Sequence, residues 1–319
     1  MANLEHLELV KQGREAVQRW RAAHPGQGLD LHGASLARLD LTGYDLSGSD
    51  LSEADLSDSN LTESVLAGVT LQRAKLEHAN LSKADLSGAD AADANLREAN
   101  LRGTKLRQAN LTGARFSRAN LNSADLTEAR FVRAKMHGVS MRDVAAKRAD
   151  FSAARMKDAD LRSANLTMAR FCGADLTKAN LKLANLGRAD FRGGKLRGAN
   201  LSTVNLNEAI MIEADLTGAN LSSANLKDAN SSEAELTGAR LEQTDLTGAN
   251  FARANLTHAR FSGAKFTGAV FPGARIALWQ RLRIWFSARR PSTITSSLAR
   301  CHCCAWMSSP VPVPFSMTP

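Results

Sequence analysis

From Leu31 to Phe271 a large apolar residue recurs at every fifth position without a slip of register. Of those 49 central positions, 33 are Leu, nine are Phe and four are Met; the exceptions are Ala91, Ala146 and Ser231. Two residues before each centre the side chain is small, and 37 of 49 such positions from Ala34 to Ala274 are Ala. The residue between them is usually Asp or Asn, as in Ala-Asp-Leu at 54–56 and Ala-Asn-Leu at 219–221. A helix needs about 3.6 residues per turn and a simple strand needs 2, so a period of five fits neither. It reads as inward, outward, inward, outward, outward: a short extended segment and a corner, repeated. Gly after the centre, as in Leu-Thr-Gly at 111–113 and Leu-Ser-Gly at 86–88, suits such a corner.

The number of units per circuit follows from the Phe positions. Phe131, Phe151, Phe171, Phe191, Phe251 and Phe271 are separated by multiples of 20 residues. Large aromatics stacked coil on coil fill an interior consistently, which predicts four units per coil and a square cross-section. Tandem A(D/N)LXX units of this kind resemble the pentapeptide-repeat family, over residues 31 to 275. The resemblance implies an all-β solenoid, a right-handed quadrilateral β-helix. About 12 coils at roughly 4.8 Å each would give a rod roughly 60 Å long. Repeat architecture also overrides the two-domain expectation for 319 residues, because each unit packs only on its neighbours.

A solenoid leaves an open coil at each end, and an open coil invites aggregation. Residues 1–28 are expected to cap the first coil. Within them, 2–22 reads as an amphipathic helix with Leu4, Leu7, Val10, Val17 and Trp20 on one side, weakened at Gly13. The β-helix is placed at 29–275. Residues 276–290 form a second amphipathic pattern, with Leu278, Trp279, Leu282, Trp285 and Phe286 at an a/d-like spacing. Its apolar side fits a C-terminal cap, a homodimer contact or a membrane surface; some family members dimerise through a C-terminal element. Residues 291–319 are rich in Ser, Pro and Thr and read as a disordered tail. The N-terminus carries acids where a signal peptide would carry bases, and no apolar run is long enough for a transmembrane helix. A reducing cytoplasm is the simplest location for the four cysteines.

Little in the chain suggests catalysis, and no cofactor or metal is expected. Cys301-His302-Cys303-Cys304 has metal-ligand residue types, but adjacent ligands point apart and no second pair follows. His78, His137 and His258 fall at outward positions, and Cys172 follows the central Phe171. The repeated Asp is best explained by a corner that needs a short acceptor for backbone N–H groups. An unbroken register leaves no inserted loop to hold a catalytic group.

Charge is the remaining signal. The chain carries 41 Lys and Arg against 32 Asp and Glu. Residues 101–200 hold 21 bases and eight acids, whereas 31–70 hold seven acids and one base, and 201–250 eight acids and two bases. Lys75, Arg115, Lys135, Arg155 and Lys195 share one register modulo 20, with Arg97, Lys157 and Arg197 in the same side's units. Beside them run Arg102, Arg142, Arg162 and Lys182. Two readings of this stripe stand: a solvated face balanced by Glu98, Asp158 and Asp175, or a docking surface for an acidic protein or other polyanion. No aromatic platform accompanies it, which argues against specific nucleic-acid recognition. The resemblance adds an alternative, since some members mimic DNA and protect DNA gyrase. Those rods are markedly acidic and several carry inserted loops, whereas this chain is basic in its middle and has no insertion from Leu31 onward; only its acidic ends fit duplex mimicry.

Overall fold

A computed structural model describes residues 3–276. Residues 30–275 form a solenoid in which each parallel bridge joins a residue to the one twenty positions later, from Asp30–Asp50 to Asn255–Arg275. Each circuit therefore takes four five-residue units. Only the residue before each centre bridges, so the sides are rows of isolated bridges and not long strands.

The backbone accounts for this geometry group by group. The N–H of each centre donates to the next coil, as Leu51 does to the Thr70 carbonyl at 2.7 Å. The N–H two residues later does the same (Glu53 to Gln72, 2.8 Å), and the one after that closes the corner on its own centre (Ala54 to Leu51, 3.1 Å). The bridging residue donates backward, as Asp55 does to Ala34 at 2.9 Å. One N–H per unit is left over, and the Asp or Asn side chain takes it: Ser52 N–H donates to Asp50 Oδ1 at 2.9 Å. The same bond recurs at Asp125 and Asn200. A buried backbone polar group left unpaired is costly, which is why the acceptor is repeated with the period. The corner residue two after the centre lies in the left-handed region, occupied by Gly where φ is 66° at Gly88 and by Lys at 58° in Lys83.

The interior is the expected ladder. Phe131, Phe151, Phe171 and Phe191 stack with ring centroids 5.0, 5.1 and 4.8 Å apart and planes within 15°. The column is then filled by Met211 and Ser231 before Phe251 and Phe271 resume it, 5.2 Å apart. Buried hydroxyls elsewhere are bonded, for example Thr104 Oγ1 to the Leu81 carbonyl and Thr244 Oγ1 to that of Leu221. Ser231 Oγ is fully buried and has no partner.

The N-terminal segment departs from the single helix expected over 2–22. It forms α1 (Leu4–Lys11) and α2 (Arg14–Ala23), broken at Gly13, whose φ of 110° no helix accommodates. Asn3 caps α1 by accepting from the N–H groups of Glu5 and His6. Val10 and Val17 are buried against the first coil, with Leu7 and Trp20 partly covered. Leu4, expected on the same side, is instead exposed. Tyr44 donates its hydroxyl to the Val10 carbonyl at 3.2 Å, and Arg21 bonds the carbonyl and hydroxyl of Ser47. No helix among the described residues is long and apolar enough to cross a membrane. Leu278, Trp279, Leu282, Trp285 and Phe286, the cysteine cluster and the expected tail lie outside the described residues.

Candidate functional site

The bridge register converts the charge arithmetic into rows on one side of the rod. Lys75 bridges Asn95, which bridges Arg115; Arg115, Lys135 and Arg155 then bridge in consecutive coils before Asp175 and Lys195. Three cations thus stack directly, with Arg97 and Lys157 two residues further along the same side. None of Lys75, Arg97, Arg115, Lys135, Arg155, Lys157 or Lys195 has a carboxylate within 4 Å, among the described residues. Arg197 differs: it reaches Asp215 at 3.4 Å. Like charges about 5 Å apart repel by somewhat under 1 kcal/mol per pair in water, so the ladder is tolerated without being favourable.

Two shallow grooves open along this side. One of about 490 Å³ is lined by Arg97, Glu98, Arg115, Ser117, Arg118, Lys135 and His137. Its neighbour of about 420 Å³ is lined by Arg73, Lys75, Asp93, Asn95, Gly113, Arg115 and Lys135. Arg115 and Lys135 form the shared wall. Gly113 leaves room there for the Asp93 carboxylate, whose Oδ1 lies 2.2 Å from where a Cβ would sit, so a side chain at 113 would displace that carboxylate. Asn95 Oδ1 in the second groove is buried without a donor. The acids expected to balance the stripe pair with groove-edge residues and not with its central cations: Glu98 lies 3.6 Å from Arg118 and 3.8 Å from His78, and Asp158 lies 3.8 Å from His137.

The field of the stripe is visible on Asp175. Burial pushes its carboxyl up, but the Thr177 hydroxyl and N–H, with the charges of Lys195 and Lys157, bring it below the usual range.

The second candidate row is different in kind. Arg142 and Arg162 both clamp Asp160, at 2.5 and 2.8 Å. Burial would raise the Asp160 carboxyl; hydrogen bonds from Arg162 and Arg142 outweigh it and lower the group to about 2. Arg102 and Lys182 share that row without an ion pair, among the described residues. The twelve candidates are therefore not one surface: the stripe side is free cation apart from Arg197, whereas the neighbouring row is half neutralised.

The pentapeptide-repeat profile matches in eight copies, at residues 27–62, 71–108, 104–143, 114–152, 154–193, 184–222, 195–230 and 234–273. The chain belongs to the pentapeptide-repeat family. Membership carries the right-handed β-helical solenoid with it. Among solved structures, the chain is similar to HetL, a pentapeptide repeat protein involved in heterocyst differentiation regulation in the cyanobacterium Nostoc sp. strain PCC 7120. That match is 28% identical, covers 82% of this chain and 98% of HetL, and has a TM-score of 0.28. QnrB1, a plasmid-mediated fluoroquinolone resistance protein, is 22% identical over 59% of this chain and 94% of its own, with a TM-score of 0.35. A pentapeptide repeat protein of the Arabidopsis thaliana thylakoid lumen is 31% identical over 40% of this chain and 77% of its own, with a TM-score of 0.23. No curated protein sequence matches the chain. At these TM-scores the family assignment rests on the repeat match and not on the superpositions.

On this pentapeptide-repeat rod, Arg133 adds an unpaired cation, among the described residues, to those the sequence register picked out, whereas Arg73, Arg118 and His137 line the grooves with Glu53, Glu98 and Asp158 within 4 Å of them. Their signal is the same period of twenty applied to the corner positions. Cys172 is half-buried; burial, then the Asp190 carboxylate bonded to it, pushes the thiol up and away from nucleophile chemistry.

Proposed function

We propose that the protein is a non-catalytic cytoplasmic scaffold whose rigid rod, closed at its N-terminal end by α1 and α2, presents the stripe side to an acidic protein partner. The observation that carries this reading is the stack Arg115–Lys135–Arg155, unpaired and forming the wall of two open grooves. The backbone fixes the spacing of the array, so only its side chains need ordering on binding, which favours an acidic segment laid along it. The stripe is also short, because Asp175 interrupts it on one side and Asp55 on the other. A short acidic segment fits those limits better than a long duplex does.

Fluorescence anisotropy with a labelled poly-glutamate peptide tests the reading. The wild-type chain is expected to bind it with a strong salt dependence, and R115E/K135E to bind at least about tenfold more weakly, equivalent to about 1.4 kcal/mol. Equal binding by both proteins sinks the assignment. A second reading, duplex mimicry acting on DNA gyrase, is supported by the acidic coils at 201–250 with eight acids and two bases. It predicts that the purified chain alters gyrase supercoiling with and without a quinolone, and no effect removes it.

A further inference from the structure

The stripe side is bipolar along its length. Arg133, Lys135 and Arg155 occupy its middle coils, and Glu233, Glu235 and Asp215 occupy the same two rows nearer the C-terminal end. Lys135, Arg155, Arg133 and Glu235 have no oppositely charged partner within 4 Å on their own chain, among the described residues. Glu233 is paired with Arg253, and Asp215 with Arg197 at 3.4 Å.

Consider two rods laid side against side about a twofold axis that lies in the contact plane, perpendicular to the rods. Such an axis keeps each row opposite its own copy and reverses the order of coils. Coil spacing then permits only discrete registers. With the coil of Lys135 opposite the coil of the partner copy's Glu235, Arg155 meets Asp215, Asp175 meets Lys195 and Arg133 meets Glu233. Every charged pair in those two rows from Lys135 to Glu235 is opposite in sign. At the axis, Gly173 faces Gly193, so no side chain holds the backbones apart. One coil's slip in one direction sets Asp175 on Asp175 and Arg155 on Lys195. One coil's slip the other way sets Lys195 on Lys195 and Asp175 on Asp215. A parallel pair puts Lys135 against Lys135. A single register is selected, spanning five coil spacings, roughly 24 Å.

We propose that a second copy of this chain docks antiparallel on the stripe side in that register, forming a symmetric dimer held by Lys135–Glu235 and Arg155–Asp215 contacts made twice. This rests on the reading of the side as a docking surface and names its occupant. A free acidic partner would then compete with the second copy for Lys135 and Arg155, while Arg115 and Arg97 lie at the edge of the contact.

Sedimentation velocity of the full chain tests this. The wild type is expected to be dimeric at about 50 mM salt and to dissociate as screening rises. K135E/R155E alone and D215K/E235K alone are expected to be monomeric, and the milder K135Q/R155Q to weaken the dimer at least tenfold. An equimolar mixture of K135E/R155E and D215K/E235K restores a dimer, because each reversed patch then faces its reversed mate. Circular dichroism confirms that each variant is folded. A wild type monomeric at all salt concentrations, a dimer indifferent to K135E/R155E, or a mixture that stays monomeric overturns the proposal. If the dimer fails while R115E/K135E still loses poly-glutamate binding, the docking surface stands and only its occupant is wrong. Failure of both measurements removes both.

Discussion

Ser231 occupies an inward central position that its neighbours along the column, Met211 and Phe251, fill with apolar volume. Its hydroxyl is buried and unbonded, which combines a packing deficit with an unsatisfied polar group. Ser231→Leu is expected to stabilise the fold by at least about 1 kcal/mol, raising Tm by about 2–4 °C in a thermal melt. A fall in Tm would argue that the inward register is misassigned. Gly28 makes the opposite case. A Cβ there would lie 2.1 Å from the Gly48 carbonyl oxygen, which belongs to the backbone of the next coil and cannot swing away. Gly28→Ala is expected to cost about 2–3 kcal/mol in chemical denaturation, as overpacking does. The Ser231 defect was legible in the sequence, because an interrupted period names its own exception. The Gly28 contact was not, since it depends on how closely two consecutive coils approach.

At the scale of the unit, the side-chain acceptor before each centre is what ties acid chemistry to stability. Asp40, Asp55 and Asp245 are lowered chiefly by the hydroxyl and N–H two residues on. Asp50, Asp85, Asp175 and Asp190 are lowered too, although burial works against it. A carboxyl depressed by folding contributes stability that is complete above its unfolded value of about 3.9 and lost as pH falls through the folded one. For Asp160, lowered to about 2, the window runs from about pH 4 down to about 2. Stability is therefore expected to fall steeply with acidification across that window, and Asp160→Asn to flatten the decline. A pH-independent melt of the wild type between 4 and 2 would contradict this account of the corner. The period of five and the corner acceptor could be read from sequence because each repeats dozens of times and errors average out, and four units per coil because six Phe share one register modulo 20. The N-terminal helices occur once, and there the reading of one continuous helix failed. Gly13 adopts a conformation unavailable to a helix, and Leu4 falls beyond the surface that the first coil offers. The Asp160 clamp was missed for a related reason. Its two arginines come from different coils, and only the folded register brings them to one carboxylate.

At the scale of the whole molecule, the backbone fixes positions and side-chain identity then writes a charge pattern on them. Arg115, Lys135 and Arg155 are held where they repel one another, while Glu98 and Asp158 nearby pair with Arg118, His78 and His137 at the groove edges. That arrangement makes location, not total charge, the property that matters. The most direct measurement compares poly-glutamate binding to two variants of equal net charge. One reverses R115E/K135E/R155E on the stripe; the other reverses R148E/R170E/R188E on other sides of the rod. The stripe variant is expected to lose binding by more than about tenfold while the control stays close to the wild type. Equal losses in both would mean that the chain attracts acids through its overall charge, and would contradict a dedicated docking side.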